Sequence, residues 1–157
     1  KQRDHVAGYI ELGRKEGATI ACWGGVPKEG ELARGAYIRP AIIADAGPKM
    51  KVVQEEIFGP VLCVLPFKTE EEAIALANDS PYGLSGSLWT RDIGRALRVA
   101  RAVQTGVLSV NSSSSVHIEA PFGGFKASGL GRELGMKAMD LYSEAQVSEK
   151  KTFLTSL

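Results

Sequence analysis

Residues 61–89 read VLCVLPFKTEEEAIALANDSPYGLSGSLW and carry the pattern that decides the fold. The apolar run Val61–Phe67 has the length of a buried strand. Thr69 follows it, and Glu72 lies three residues further on, which is the spacing of a helix-capping box. A turn-rich stretch then ends the helix, and Ser85–Trp89 has the pattern of the next strand. Strand, helix and strand in this order predict a βαβ unit with parallel strands.

Strands and helices continue to alternate on both sides of this stretch. Helices are predicted over 2–16, 92–103 and 132–141, and further strands over 18–22, 36–44, 107–111 and 143–149. Helical spacers between strands predict an α/β fold in which βαβ units form a parallel sheet with covered faces. The chain opens at Lys1 inside a helical pattern, without Met and without a preceding strand. We therefore expect a piece of a longer polypeptide, with a fold that is incomplete at its N-terminal side.

Composition and charge argue against several classes of protein. The 157 residues are 44% hydrophobic and 24% charged, which is close to the average of globular domains. Basic and acidic residues are interspersed and leave a net charge of +1, so neither nucleic acid nor an acidic lipid surface is favoured as a partner. No apolar run reaches the roughly 18 residues of a membrane span. Two cysteines and no secretory signal before the first helix favour a reducing, cytoplasmic setting.

Residues of metal-binding and nucleophilic types have ordinary interpretations in this sequence. The side chains that are able to ligate a metal lie far apart: His5, Cys22, Cys63 and His117. No pair of them has a ligand spacing, so we interpret them as core and surface residues. The serines at 112–115 lie outside any G-x-S-x-G nucleophile motif and suit the polar lining of a loop.

Arginines recur at helical spacing, at positions 91, 95, 98 and 101. The opposite face of the same predicted helix carries Ile93, Leu97, Ala100 and Val103. This pattern favours the solvated face of an amphipathic helix over a phosphate-binding stripe.

The most unusual stretch is GGFKASGLGRE, residues 123–133. Its glycines come close to a dinucleotide-binding fingerprint, but their spacing differs and no strand leads directly into them. A glycine-rich turn that enters a binding helix and a tight structural loop are both compatible with this stretch.

The segment VVQEEIFGPV, residues 52–61, suggests a nucleoside contact. In an extended chain side chains alternate, so Glu56 and Phe58 share a face while Ile57 turns toward the core. A carboxylate that accepts hydrogen bonds from a ribose diol, beside an aromatic ring that packs on a base, suits a nucleoside. The alternative is a salt-bridged glutamate at the start of a strand.

Four motifs occur in a fixed order along the chain: EIFGPV at 56–61, NDSPYGL at 78–84, VN at 110–111 and PFGGFKASGLGRE at 121–133. This series resembles the C-terminal part of the catalytic domain in the NAD(P)-dependent aldehyde dehydrogenase superfamily, over essentially the whole chain. The resemblance implies oxidation of an aldehyde to a carboxylate, with NAD or NADP as the hydride acceptor. A cysteine nucleophile and a glutamate base carry that chemistry in the family.

The resemblance also implies roles for individual residues. It implies that the nicotinamide and its ribose are contacted by Glu56, Phe58 and Gln2. Asn111 resembles a strand-end residue of the aldehyde channel, whose lining is Ser112, Ser114, Val116 and Phe122. Glu133 resembles a carboxylate that relays protons. The backbone carbonyls of Lys126 and Gly129 resemble a monovalent-cation site of the betaine-aldehyde branch.

Two further expectations follow from the same resemblance. The family's nucleophile and base lie N-terminal to the matched segment, and neither cysteine here has the family's Gly-Gln-x-Cys setting, so we expect the isolated chain to be inactive. We expect residues 1–141 to be the distal part of the catalytic domain and 142–157 to be an oligomerisation strand and tail. Residues 143–149 would extend the sheet of a neighbouring subunit in a homodimer or tetramer. A free-standing, non-catalytic assembly module of the same fold is the alternative.

Overall fold

The computed structural model describes residues 1–22 and 24–147. The chain divides into two compact units, of which the first ends at Pro81 and the second begins at Tyr82. Each unit contains parallel strands with a helix between them in sequence, which confirms the α/β class. The expected division between residues 141 and 142 stays a prediction. Within the described residues no helix combines the length and the apolar character needed to cross a membrane.

The first unit contains a three-stranded sheet with the order β1-β2-β3. Its elements are α1 (Gln2–Lys15), β1 (Thr19–Cys22), β2 (Ala41–Ala44), α2 (Lys51–Gln54), β3 (Val61–Cys63) and α3 (Glu70–Asn78). Strands β2 and β3 are parallel, with Ile42 beside Leu62. Strands β1 and β2 are antiparallel, so the expectation of an all-parallel sheet was wrong for this pair. The described part of their connection, residues 24–40, has the short 3₁₀ helix Glu31–Arg34 but not the α-helix that usually crosses between parallel strands.

Two strands of this unit are shorter than expected. Strand β2 begins at Ala41 rather than at residue 36, and β3 ends at Cys63 rather than at residue 67. Asp45 has a φ of 54°, a left-handed conformation that turns the chain away from the sheet directly after β2. The last hydrogen bond between these strands runs from the Val64 N–H to the Ile43 carbonyl. Because β2 then ends, the apolar residues beyond Val64 have no neighbouring strand to pair with.

The core of the first unit lies between α1 and one face of the sheet. Val6 and Ile10 of α1 are each 2% exposed, and Ile43 of β2 is 0% exposed. Gly13 completes this helix face, because a Cβ there would already touch Ile43 at 3.2 Å. Val6, Ile10 and Gly13 therefore form the buried face of α1.

Helix α3 begins with the predicted capping box. The Thr69 hydroxyl accepts a hydrogen bond from the Glu72 backbone N–H at 3.1 Å. The Glu72 carboxylate reaches back to the backbone N–H of Lys68 at 2.7 Å, one residue earlier than in the usual arrangement. The first contact satisfies a backbone donor that the first helical turn leaves without a partner, and the second ties the residue before the cap to the helix.

The second unit is built on one parallel strand pair and its connecting helix. Its elements are β4 (Ser85–Leu88), α4 (Ile93–Ala102) and β5 (Val107–Val110), followed by the short 3₁₀ helices Lys126–Ser128 and Met136–Leu141. The side chain of Asp92 caps α4 by accepting from the Arg95 backbone N–H at 3.1 Å. That hydrogen bond holds the pKa of the Asp92 carboxyl below its usual value.

Three expectations for the second unit were wrong or only partly met. Residues 132–135 are not helical, because Leu134 and Gly135 have φ values of 62° and 58° and Glu133 pairs with Phe122. Residues 143–147 form no strand in this chain, and residues 148–149 lie outside the described residues.

In α4 the expected apolar face is largely exposed, with Ile93 at 74% and Leu97 at 52%. Ala96 is the residue that α4 buries, since it alone is fully covered on this helix.

The close approach of α1 to the chain before β3 predicts that one methyl group added at this point has a large effect on stability. A Cβ at Gly59 would lie 2.5 Å from a methyl of Val6, so Gly59→Ala forces a backbone shift. We expect Gly59→Ala to lower the free energy of unfolding by about 1–3 kcal/mol, the usual range for overpacking. Denaturant unfolding followed by circular dichroism measures this change. Gly8→Ala is the matched control: a Cβ there meets nothing within 4 Å, so added helix propensity should stabilise by about 0.5–1 kcal/mol.

Candidate functional site

The first part of the site is the segment 55–59, which lies along α1. The side-chain amide of Gln2 donates a hydrogen bond to the Phe58 carbonyl at 2.9 Å. Phe58 has a φ of 53°, a left-handed conformation that is unfavourable for an aromatic residue. Its ring is 77% exposed. The hydrogen bond from Gln2 thus holds the backbone of a strained residue whose ring is not packed.

Glu55 and Glu56 have different surroundings. Glu55 accepts a hydrogen bond from the Tyr9 hydroxyl at 2.6 Å. Ile57 is 8% exposed and belongs to the core, as the alternation of side chains predicted. Glu56 is exposed, and within the described residues its carboxylate has no hydrogen-bond or ion-pair partner. The extended conformation expected for this segment fails at both ends, because residues 51–54 form α2 and Phe58 has a left-handed φ, while Glu55 is extended. The alternation that would place Glu56 and Phe58 on one face is therefore broken at Phe58.

A groove of about 470 Å³ opens beside Gln2 and Phe58. Its lining also includes the basic residues Lys1, Arg3 and Arg34. Arg3 donates to the Gly35 carbonyl at 3.0 Å, which ties this side chain to the wall. Gln2 and Phe58 are therefore brought together at one groove, whereas Glu56 is not part of its lining.

The second unit places Asn111 at the carboxyl end of β5. Asn111 has a φ of 53°, and its backbone N–H donates to the Leu88 carbonyl at 2.8 Å. Its side-chain oxygen accepts from the Thr90 N–H, and its side-chain nitrogen donates to the Thr90 carbonyl, both at 2.9 Å. The amide therefore extends the strand pairing by one residue, in the manner of a backbone peptide group.

The loop after β5 folds back on the strand. The Ser109 hydroxyl donates to the Ser114 carbonyl at 2.5 Å, and the Ser112 hydroxyl accepts from the Ser114 N–H at 3.1 Å. Val116 is 58% exposed at the far side of this loop. Phe122 pairs with Glu133 through backbone hydrogen bonds of 2.7 Å in both directions. The expected channel residues therefore lie on loops that backbone contacts hold in place.

The glycine-rich loop surrounds a cavity of about 530 Å³ in the second unit. Lys126 and Gly129 both line it, with φ values of 54° and 131°. Arg132 lies over the Phe125 ring at 5.5 Å and donates to the carbonyls of Gly124 and Gly131 at 2.9 and 2.8 Å. This lining holds two basic side chains and no carboxylate, so it does not favour a bound cation, and the cation site stays a prediction.

Neither cysteine has the environment of a nucleophile or of a metal ligand. The Cys63 thiol donates to the Val52 carbonyl at 3.1 Å, and burial raises its pKa. A raised pKa leaves little of the thiolate that nucleophilic attack requires. Cys22 is exposed on β1, and both cysteines are free. Across the described residues no group of three or more His, Cys, Asp or Glu side chains is placed to hold a metal ion.

The model of the aldehyde dehydrogenase family matches residues 1–148. The chain belongs to the aldehyde dehydrogenase family. It is 47% identical over 143 residues to a betaine aldehyde dehydrogenase of Brucella anthropi, an alignment that covers 91% of this chain and 29% of that protein. This chain of the aldehyde dehydrogenase family thus spans less than a third of the curated relatives that it matches.

Solved structures of the aldehyde dehydrogenase family share this fold. The crystal structure of a betaine aldehyde dehydrogenase from Staphylococcus aureus in complex with NAD+ matches with a TM-score of 0.85 at 42% identity, over 90% of this chain and 28% of that one. The crystal structure of a Mycobacterium tuberculosis aldehyde dehydrogenase complexed with NAD+ has a TM-score of 0.85 at 44% identity, over 91% and 29% of the two chains. The α/β fold and the family membership are therefore confirmed.

Several contacts of the site had no assigned role in the sequence interpretation. Tyr9 makes one of them, since its hydroxyl donates to the Glu55 carboxylate at 2.6 Å. The seven-residue spacing of Gln2 and Tyr9, two helical turns, was the available signal. Ser128 is a second case, since its hydroxyl accepts from the Gly83 N–H at 2.9 Å and thereby joins two of the recognised motifs. No sequence pattern indicates that pairing, because the two residues lie 45 positions apart.

The amide of Asn111 predicts a specific sensitivity to its replacement by a carboxylate. Asn111→Asp substitutes an acceptor for the donor that faces the Thr90 carbonyl. We expect a loss of about 0.5–1.5 kcal/mol, the net contribution of an ordinary hydrogen bond, because the contact is exposed. Hydrogen exchange of the β4 and β5 amides measures it. Ser113→Asp, which adds a carboxylate to the exposed loop, is the control and should leave that exchange unchanged.

Proposed function

We propose that this chain supplies the nicotinamide-ribose wall and part of the aldehyde passage of an NAD-dependent aldehyde dehydrogenase, which oxidises an aldehyde to a carboxylate. Glu56 is proposed to accept hydrogen bonds from the nicotinamide ribose, Phe58 to pack against the nicotinamide, and Gln2 to hold Phe58. Membership of the family and its similarity to NAD+ complexes support this proposal. The main support is that the Phe58 ring is exposed while its backbone is fixed in a left-handed conformation. Two residues earlier, the Glu56 carboxylate has no partner among the described residues.

The residues of this wall fit a nicotinamide nucleoside. When bound, NAD supplies the hydride acceptor of the reaction. An exposed ring offers a flat apolar surface to the nicotinamide, and an exposed carboxylate without an internal partner loses no hydrogen bond when it accepts from a ribose diol. The strained φ of Phe58 also points to function, because strain of this kind is retained where it positions a group for a ligand. NAD is proposed rather than NADP because the similar structures are NAD+ complexes.

The second unit is proposed to line the aldehyde passage. Asn111 stands at the strand end, and the wall of the passage consists of Ser112, Ser114, Val116 and Phe122. The small serines and Val116 favour a wide, polar entrance. Glu133 is proposed to relay protons, since its side chain is exposed while its backbone is fixed by Phe122.

Cellular setting and assembly complete the proposal. Two free cysteines without a disulfide favour the reducing cytoplasm. Residues 143–149 are proposed to pair with a neighbouring subunit of a homodimer or tetramer. An assembly module without cofactor would have no use for the exposed ring of Phe58 and the unpartnered Glu56, so these residues favour the enzyme.

The cysteine environments predict that this chain by itself does not oxidise aldehydes. Hydride leaves a thiohemiacetal that only a positioned thiolate forms, and burial raises the pKa of Cys63. Purified chain mixed with NAD or NADP and a panel of aldehydes should produce no reduced cofactor by absorbance. Turnover that disappears in Cys22→Ser or Cys63→Ser would contradict this prediction.

The proposed ribose contact predicts the effect of one substitution in the complete enzyme that contains this chain. Glu56→Gln keeps the size of the side chain but removes the charge that strengthens both hydrogen bonds to the ribose. We expect single-turnover hydride transfer to slow by roughly 10- to 100-fold, which corresponds to about 1.4–3 kcal/mol in the transition state. Cofactor affinity, measured by fluorescence quenching, should change less, because the contact mainly orients the nicotinamide.

Glu29→Gln is the matched control for Glu56→Gln. Glu29 is an exposed glutamate of the same unit but not of the segment 55–59, so its substitution makes the same change of charge outside the proposed cofactor wall. An equal rate in the Glu56 variant and the parent, or equal slowing in both variants, would remove Glu56 from the cofactor site.

A further inference from the structure

One face of α1 contacts the segment 55–59 at three successive points. Gln2 donates to the Phe58 carbonyl at 2.9 Å, and Tyr9 donates to the Glu55 carboxylate at 2.6 Å. Between them Val6 packs so closely on the backbone that a Cβ at Gly59 would lie 2.5 Å from it. Positions i, i+4 and i+7 of a helix share one face, so a single rigid element makes all three contacts.

Glu56 lies between the anchored residues and is itself not anchored. On one side Glu55 is held by Tyr9 and by its backbone N–H, which donates to the Lys51 carbonyl at 2.8 Å. On the other side Ile57 is buried, and Phe58 is held by Gln2. The carboxylate of Glu56 has no partner within the described residues, so its direction depends on these neighbours.

We propose that Tyr9 is a positioning residue, which orients the Glu56 carboxylate toward the nicotinamide ribose by holding Glu55. This inference rests on the proposed function and adds a residue that touches neither cofactor nor substrate. The Tyr9–Glu55 bond fixes the side chain of Glu55 on the α1 side, so that Glu56 extends away from the helix. Loss of the bond leaves the core contact of Ile57 and the backbone bond of Glu55 intact, but releases the Glu55 side chain and with it one of the restraints on the direction of Glu56.

A role in stability alone is the competing explanation. The bond from Tyr9 joins a partly buried ring to an exposed carboxylate, so its removal also affects folding. The two explanations differ in one respect. If Tyr9 acts through Glu56, its contribution to hydride transfer requires the Glu56 carboxylate, whereas its contribution to stability does not.

The test is a double-mutant cycle in the complete enzyme that contains this chain. We expect Tyr9→Phe to slow single-turnover hydride transfer by about threefold to tenfold, with less change in NAD affinity. In the Glu56→Gln background, Tyr9→Phe should have no further effect on this rate, while the shift of the melting temperature should be the same in both backgrounds. Tyr37→Phe is the control, because in the described residues its hydroxyl has no hydrogen bond.

The outcomes separate this inference from the proposed function. A normal rate in Glu56→Gln overturns the proposed function and the role of Tyr9 with it. A slow Glu56→Gln enzyme with a normal Tyr9→Phe rate overturns the positioning role alone. If Tyr9→Phe slows the rate equally in both backgrounds, the positioning role is also overturned, because the effect then does not depend on the Glu56 carboxylate. If Tyr9→Phe does not fold, Glu55→Ala removes the acceptor at the exposed end of the bond and completes the same cycle.

Discussion

The contact between Val6 and the backbone at Gly59 is the constraint on which the first unit depends. Val6 is 2% exposed and belongs to the core cluster that includes Ile43 and Ile57. Only a residue without a Cβ allows the chain to pass this close to the helix. Because the chain approaches to van der Waals distance here, polar side chains on the neighbouring turns of α1 reach its carbonyl and carboxylate groups. Apolar packing therefore sets the register in which the hydrogen bonds form.

In the second unit close approach is again made possible by glycine, but the groups that approach each other are backbone groups rather than side chains. A Cβ at Gly106 would collide with the Gly123 carbonyl, and one at Gly83 would collide with the Gln104 carbonyl. Three stretches that are distant in sequence therefore meet without side chains between them, and their N–H groups bond directly. The N–H groups of Gly106 and Phe125 share the Gly83 carbonyl, at 3.0 and 2.8 Å. A loop fixed in this way has little freedom to move, although few of its side chains are buried.

The sequence was sufficient to predict those features that depend on interactions between residues close together in the chain. The Thr69–Glu72 box and the Asp92 cap give helix starts, because a cap and its partner lie within one turn. The alternation that buries Ile57 is local as well. The direction of β1, the shift of α4 onto Ala96 and the pairing of Phe122 with Glu133 were not predictable. They depend on which distant segment lies alongside, and periodicity contains no such information. For the site, the motif at 56–61 indicated Glu56 and Phe58 and the wider resemblance indicated Gln2, but neither indicated the contact of Gln2 with Phe58 or that of Tyr9 with Glu55.

Polar side chains of the site fall into two groups, and the division has a physical reason. Gln2, Glu55 and Asn111 form hydrogen bonds with the backbone or with another side chain, so each is held in place. Glu56 is exposed and unpartnered within the described residues, next to these anchored groups. A group that must bind a ligand strongly cannot also satisfy itself internally, because the internal bond would have to break first. Its direction must nevertheless be fixed before the ligand binds, because ordering a free side chain on binding reduces the affinity. Anchored neighbours around an unpartnered carboxylate meet both requirements, and this is the arrangement that α1 imposes on the segment from Glu55 to Gly59.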